Sequence, residues 1–143
     1  MAYCTMNDIR DQLDEVKLVR LTDDESLGKV GTARVDKAIA DAGEEIDGYI
    51  GSRHRLPLTP VPEVLRKFAV DIAVYNLYSR LEQVPENRAT RYRNALIFLE
   101  RVAMGKISLG AGDPEGNPPA SDAPQVSGEN PERLFGRSSL NGF

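Results

Sequence analysis

The sequence predicts an all-α protein, a small bundle of about four main helices with a long extended C-terminal tail. Apolar residues recur at helical steps of three and four up to about residue 109, and proline and glycine fall between those periodic segments. The composition then changes sharply from Gly110 onward, where six glycines and five prolines fall within 34 residues. The expected division is a helical domain over 1–109, a Gly/Pro-rich spacer over 110–129 and a C-terminal docking segment over 130–143.

Thr5 and Asp8 have the spacing of a capping box, in which a hydroxyl and a carboxylate meet free backbone amides, so a short helix is expected from Met6 to Gln12. Val16, Leu18, Val19 and Leu21 mark a second piece, read as helix over 15–21. Thr22-Asp23-Asp24-Glu25-Ser26 then supplies turn and cap chemistry. Gly28-Lys29-Val30-Gly31-Thr32 reads as a turn and N-cap; it lacks the spacing and the preceding strand of a phosphate-binding loop.

The clearest periodicity follows Thr32. Val35, Ala38, Ile39, Ala42, Ile46, Tyr49 and Ile50 form one apolar stripe, and Gly51 is a plausible C-cap. Gly43 and Gly48 lie inside that helix, each costing roughly 1 kcal/mol against alanine, and close helix contact is the expected compensation. Residues 52–62 contain three prolines and read as an ordered crossover.

Pro62 suits a first turn, and Val64, Leu65, Phe68, Ala69, Ile72, Ala73 and Leu77 continue a helix whose broad apolar face predicts a central position. Pro85 is expected to stop that run. The last helix, about Glu86 to Met104, presents Tyr92, Ala95, Leu96, Leu99, Val102 and Ala103 on one side, and Gly105 ends it. The tail closes on Arg133, Leu134, Phe135, Arg137, Leu140 and Phe143, a cluster of large apolar side chains and arginines in an otherwise polar segment. Ordering entropy keeps such a segment from folding alone, so these six residues are the candidate partner-binding set.

The 18 basic and 22 acidic residues give a net charge of −4, without the basic excess of a general nucleic-acid binder. Cys4 is the single cysteine, so no intrachain disulfide or cysteine metal cluster is available, which suits a reducing cytoplasm. The start lacks the n-region and h-region of a signal peptide, and no apolar run approaches about 18 residues.

His54, between Arg53 and Arg55, has positive charge opposing its protonation and no adjacent carboxylate to orient it, so it makes a poor general base. Cys4 at the mobile start is a poor nucleophile. Asp23-Asp24 and Glu44-Glu45 read as solvated turn and helix-surface carboxylates. No convergent constellation points to an enzyme, a cofactor or a metal. Arg53, Arg55, Arg88 and Arg91 are the candidate DNA-channel or interface residues, and Arg93 and Arg101 share the last helix with two of them.

Four stretches carry a family resemblance: Met1 to Thr5 with Asp8-Ile9; Ile46 to Leu58, including Arg53-His54-Arg55-Leu56-Pro57-Leu58; Ala69 to Tyr78; and Arg133 to Phe143. Together they cover nearly the whole chain, and in order and content the sequence resembles the small head-tail connector (adaptor or head-completion) proteins of Mu-like tailed bacteriophages. The Arg-x-Arg-Leu-Pro-Leu crossover and the phenylalanine-containing terminus are the more specific parts. His54 stands where that family more often has an aromatic residue such as tyrosine, so no role is carried over to it.

The resemblance implies a structural virion protein made in the bacterial host cytoplasm and placed at the head-tail interface. It implies a homo-oligomeric ring, dodecameric to match the portal protein, with a tail-side connector or terminator protein below. Such a ring encloses the DNA exit path, where lumenal arginines make non-specific DNA contact; no membrane is involved. The alternative is a small helical nucleic-acid-binding regulator using the Arg53-His54-Arg55 loop and the arginines of the last helix against phosphates.

Overall fold

The computed structural model describes residues 1–110, and among these the regular structure is helical throughout. Five helices follow in order: α1 (Met6–Gln12), α2 (Glu15–Thr22), α3 (Thr32–Ile50), α4 (Glu63–Ser79) and α5 (Glu86–Ala103). The expected spacer and docking segment, with Arg133, Leu134, Phe135, Arg137, Leu140 and Phe143, lie outside the described residues.

The capping box at α1 forms as expected: the Thr5 amide donates to Asp8 Oδ2 at 2.7 Å and the Asp8 amide to Thr5 Oγ1 at 3.4 Å. α2 starts in the same way, with Asp14 accepting from the Lys17 amide at 3.3 Å. The turn before α3 supplies its N-cap through Gly31, whose amide donates to the buried Thr22 hydroxyl at 2.9 Å. That hydroxyl donates in turn to the Leu18 carbonyl at 2.6 Å, so one side chain ties the end of α2 to the start of α3.

α4 is central, packing on α1, α2, α3 and α5. Its buried Leu65, Ala69, Ile72, Ala73 and Leu77 meet Val35, Ala38, Ile39, Ala42, Ile46 and Ile50 of α3 and Ala95, Leu99 and Val102 of α5 in one core. A fully buried Leu, Ile or Val of this kind stabilises by about 1.5–3 kcal/mol. Phe68 and Phe98 join α4 to α5 with ring centroids 4.6 Å apart. In the crossover, Leu58 and His54 are buried and tie residues 51–62 to the bundle.

Four expectations are corrected. α4 ends at Ser79, ahead of Pro85: Arg80 is its C-cap, Glu82 turns the chain at φ +59°, and Pro85 is the N-cap of α5. Pro62 likewise lies one position outside α4, at its N-cap.

The two glycines of α3 differ. A Cβ on Gly43 would lie 1.8 Å from the Met1 carbonyl oxygen, so what approaches is the N-terminal segment and not a helix; a Cβ on Gly48 would meet nothing within 4 Å. Cys4, finally, is not at a mobile start: the segment over Gly43 buries Tyr3 and Cys4 to 3% and 5% exposure. It is fastened by the Met1 ammonium on Asp47 Oδ2 at 2.8 Å and by the Tyr3 hydroxyl, which donates to Asp47 Oδ1.

Candidate functional site

The four arginines singled out from the sequence do not converge on one surface. Arg88 and Arg91 leave the first turns of α5 toward the end of α1, where Arg88 Nη2 donates to the Gln12 carbonyl at 3.2 Å and Arg91 Nη1 to Gln12 Oε1 at 3.1 Å. The Gln12 carbonyl is among those a helix end leaves without an internal partner, and a guanidinium is well suited to it. Arg91 also stands 3.9 Å from the carboxylate of Asp71, a buried residue that Lys67 reaches at 3.2 Å.

Arg53 sits at the other end of α5. Its guanidinium lies against Gly105, where a Cβ would come within 2.6 Å of Nη1 and where φ is +75°. Arg88 and Gly105 are separated by roughly 25 Å at the helical rise of about 1.5 Å per residue. Arg55 is exposed in the crossover and, unlike the also exposed Arg91, makes no hydrogen bond or ion pair among the described residues.

A groove of about 410 Å³ opens between α2 and the turn from α4 to α5. Leu21, Tyr78 and Val84 are its more buried apolar lining, and the exposed Leu81, at 41%, and Pro85 complete it. Lys17 and Arg20 form the α2 wall, and neither has a carboxylate partner among the described residues. Val16, 68% exposed, precedes Lys17 on the same helix. Between the end of α4 at Ser79 and the start of α5 the chain turns through Glu82 at φ +59°, and Leu81, Gln83, Val84 and Pro85 of that turn line the groove. Below it, Arg80 clamps Asp24 at 2.9 Å and also donates to the Leu21 carbonyl, while Arg34 takes the same carboxylate at 2.8 Å. The hydrogen bond from Arg80, aided by Arg34, holds the Asp24 carboxyl below its ordinary value.

The carboxylate pairs are thus only partly the solvated groups expected. Asp23 accepts from the Leu27 and Gly28 amides at 2.9 and 2.7 Å, Asp24 is clamped, and the half-buried Glu45 accepts from the Tyr92 hydroxyl at 2.8 Å; Glu44 alone of the four stays a plain exposed side chain. Burial, with Asp8 nearby, pushes the Cys4 thiol up to about 11, so it is not a thiolate nucleophile at neutral pH. Among the described residues no group of three or more His, Cys, Asp or Glu side chains is placed to hold a metal, and no helix is long and apolar enough to cross a membrane.

Sequence reasoning missed the groove because Lys17 and Leu81 are far apart in the chain.

Residues 3–128 match the family described as Bacteriophage Mu, Gp36. The chain is 36% identical over 116 residues to Mu-like prophage FluMu protein gp36 of Haemophilus influenzae, covering 78% of this chain and 76% of that protein. It is 34% identical over 137 residues to Gene product J of Escherichia phage Mu, covering 92% of this chain and 93% of that protein. The second likeness covers more of the chain than residues 1–110 supply, so it extends into the tail.

Proposed function

The chain belongs to the Bacteriophage Mu Gp36 family, and from that premise we propose that it is a structural head-tail connector of a tailed phage. Copies of it form a ring, dodecameric to match the portal protein, beneath the portal and around the DNA exit path. A tail-side connector or terminator protein docks below. The observation that carries this reading is that the family match crosses the helical domain and continues to residue 128, so the family shares the domain together with most of the Gly/Pro-rich spacer.

The physical design supports it. A helical domain with one continuous core gives each subunit a rigid wedge, and a tail with too little apolar surface to fold by itself completes its contact during assembly. Leu134, Phe135, Leu140 and Phe143 anchor that contact, with Arg133 and Arg137 beside them. Arg55 is the arginine with the freest access to the lumen or to a neighbour, because Arg53, Arg88 and Arg91 already contact their own subunit.

Removing residues 130–143 and following ring formation on the portal tests the reading. Loss of ring or particle assembly with an intact helical domain is the expected outcome, and undiminished assembly overturns it. Steeply salt-dependent binding of the isolated chain to duplex DNA would point instead to the nucleic-acid-binding regulator.

A further inference from the structure

We propose that the groove between α2 and the α4–α5 turn is the seat of the chain's own residues 132–134, which hold the tail on its own domain and leave a second face of it exposed for a partner. The proposal rests on the reading of 130–143 as the contact segment and adds where that segment sits before a partner arrives.

The first argument is register. In an extended segment successive side chains point to opposite sides. Glu132, Leu134 and Leu140 then share one side, and Arg133, Phe135, Arg137 and Phe143 the other. The first side matches the groove: Leu134 faces an apolar floor of Leu21, Tyr78 and Val84, and Glu132, two residues earlier, faces Lys17 and Arg20. The second side does not, since it would bring Arg133 and Arg137 against those cations. A groove of about 410 Å³ lies within the range of roughly 300–1,000 Å³ that holds a small group.

The second argument is reach. Leu109 is buried where the chain leaves the bundle, past the C-terminal end of α5, whereas Val84 and Pro85 of the groove adjoin the N-terminal end of the same helix. The span is therefore close to the length of α5, about 27 Å at the helical rise. Random-coil statistics for the 21 residues of 111–131 give a root-mean-square reach of about 25 Å, lengthened somewhat by its five prolines. Effective concentration is highest when reach and span agree, reaching the millimolar range, so a weak seat fills within one chain before a second copy competes in dilute solution.

Paramagnetic broadening in the full-length chain tests this. A nitroxide is placed on Ser139→Cys; the buried, poorly ionised Cys4 stays unlabelled, with the wild-type chain as blank. In isotope-labelled protein carrying the nitroxide, loss of the amide signals of Leu21, Leu81 and Val84, but not those of α3, is expected. A mixture of nitroxide-bearing unlabelled chain with isotope-labelled chain should keep those signals. Leu134→Asp, or Lys17→Glu with Arg20→Glu, should restore them, and Phe135→Ser should not.

Broadening in the mixed sample gives the groove to a second copy and overturns the proposal, as does an unperturbed groove or a dependence on Phe135 in place of Leu134. An empty groove in a chain that still needs 130–143 for assembly would sink this inference alone.

Discussion

Tyr75 of α4 and Tyr92 of α5 stack face to face, their ring centroids 3.9 Å apart and their planes within 4°, and the Tyr92 hydroxyl donates to Glu45 of α3 at 2.8 Å. One side chain thereby joins the three long helices on the solvent side of the core. Tyr92→Phe keeps the stack and removes the hydroxyl, for an expected loss of about 0.5–1.5 kcal/mol. Tyr92→Ala removes the stack as well and should cost at least about 1 kcal/mol more. Urea unfolding of the three proteins checks both the order and the spacing.

The same hydroxyl, with that of Tyr3, makes stability fall at alkaline pH. Burial first, and then the hydrogen bonds to Asp47 and Glu45, hold both phenols above their ordinary value of 10.0. A raised folded value means the contribution is complete below the unfolded value and is lost above it: past about pH 10 the unfolded chain sheds these protons while the folded chain keeps them. Two of the five tyrosines should therefore ionise late and together with loss of helix, seen by following phenolate absorbance and circular dichroism in one titration. Asp24 has the opposite sign. Its lowered carboxyl contributes above the ordinary aspartate value, and the contribution disappears on acidification through the folded value.

Gly43 and Gly48, five residues apart on α3, should respond to alanine in opposite directions. At Gly48 the methyl meets open space, so Gly48→Ala gains helix propensity of about 0.5–1 kcal/mol. At Gly43 it meets the Met1 carbonyl, and displacing that segment uncovers Tyr3 and Cys4. A loss of about 1–3 kcal/mol is expected there. Thiol labelling separates the two, since Cys4 should become reactive in Gly43→Ala and stay protected in Gly48→Ala.

What the sequence made legible was what repeats locally. The Val35–Ile50 stripe predicts α3, the Thr5–Asp8 spacing predicts the cap of α1, and the breadth of the apolar face over 64–77 predicts that α4 is central; all three are found. What it hid depends on residues that meet only after folding. Tyr3 and Cys4 carry no period, so their burial over Gly43 leaves no trace along the chain. The end of α4 at Ser79 is not marked by glycine or proline, because Glu82 makes the turn with a side chain that ordinarily avoids φ +59°. The arginines were legible as cations but not as partners of Gln12 and Gly105.

That last difference gives the arginine prediction its direction. If Arg88 and Arg91 served only a DNA channel, replacing them would leave the isolated subunit as stable as before. Their contacts say otherwise: Arg88 satisfies the Gln12 carbonyl at the end of α1, and Arg91 joins Lys67 around the carboxylate of Asp71, which is 5% exposed. The Gln12 bonds lie on the surface and Asp71 keeps Lys67, so the expected cost of losing both arginines is that of ordinary hydrogen bonds, about 0.5–1.5 kcal/mol. Arg88→Ala with Arg91→Ala should therefore lower the denaturant midpoint and speed hydrogen exchange in α1. Arg55→Ala, on open surface, should stay within about 0.5 kcal/mol of the parent. Any loss of DNA retention in Arg55→Ala particles then reports on the proposed channel, whereas the same loss in the double variant has to be corrected first for a loosened α1.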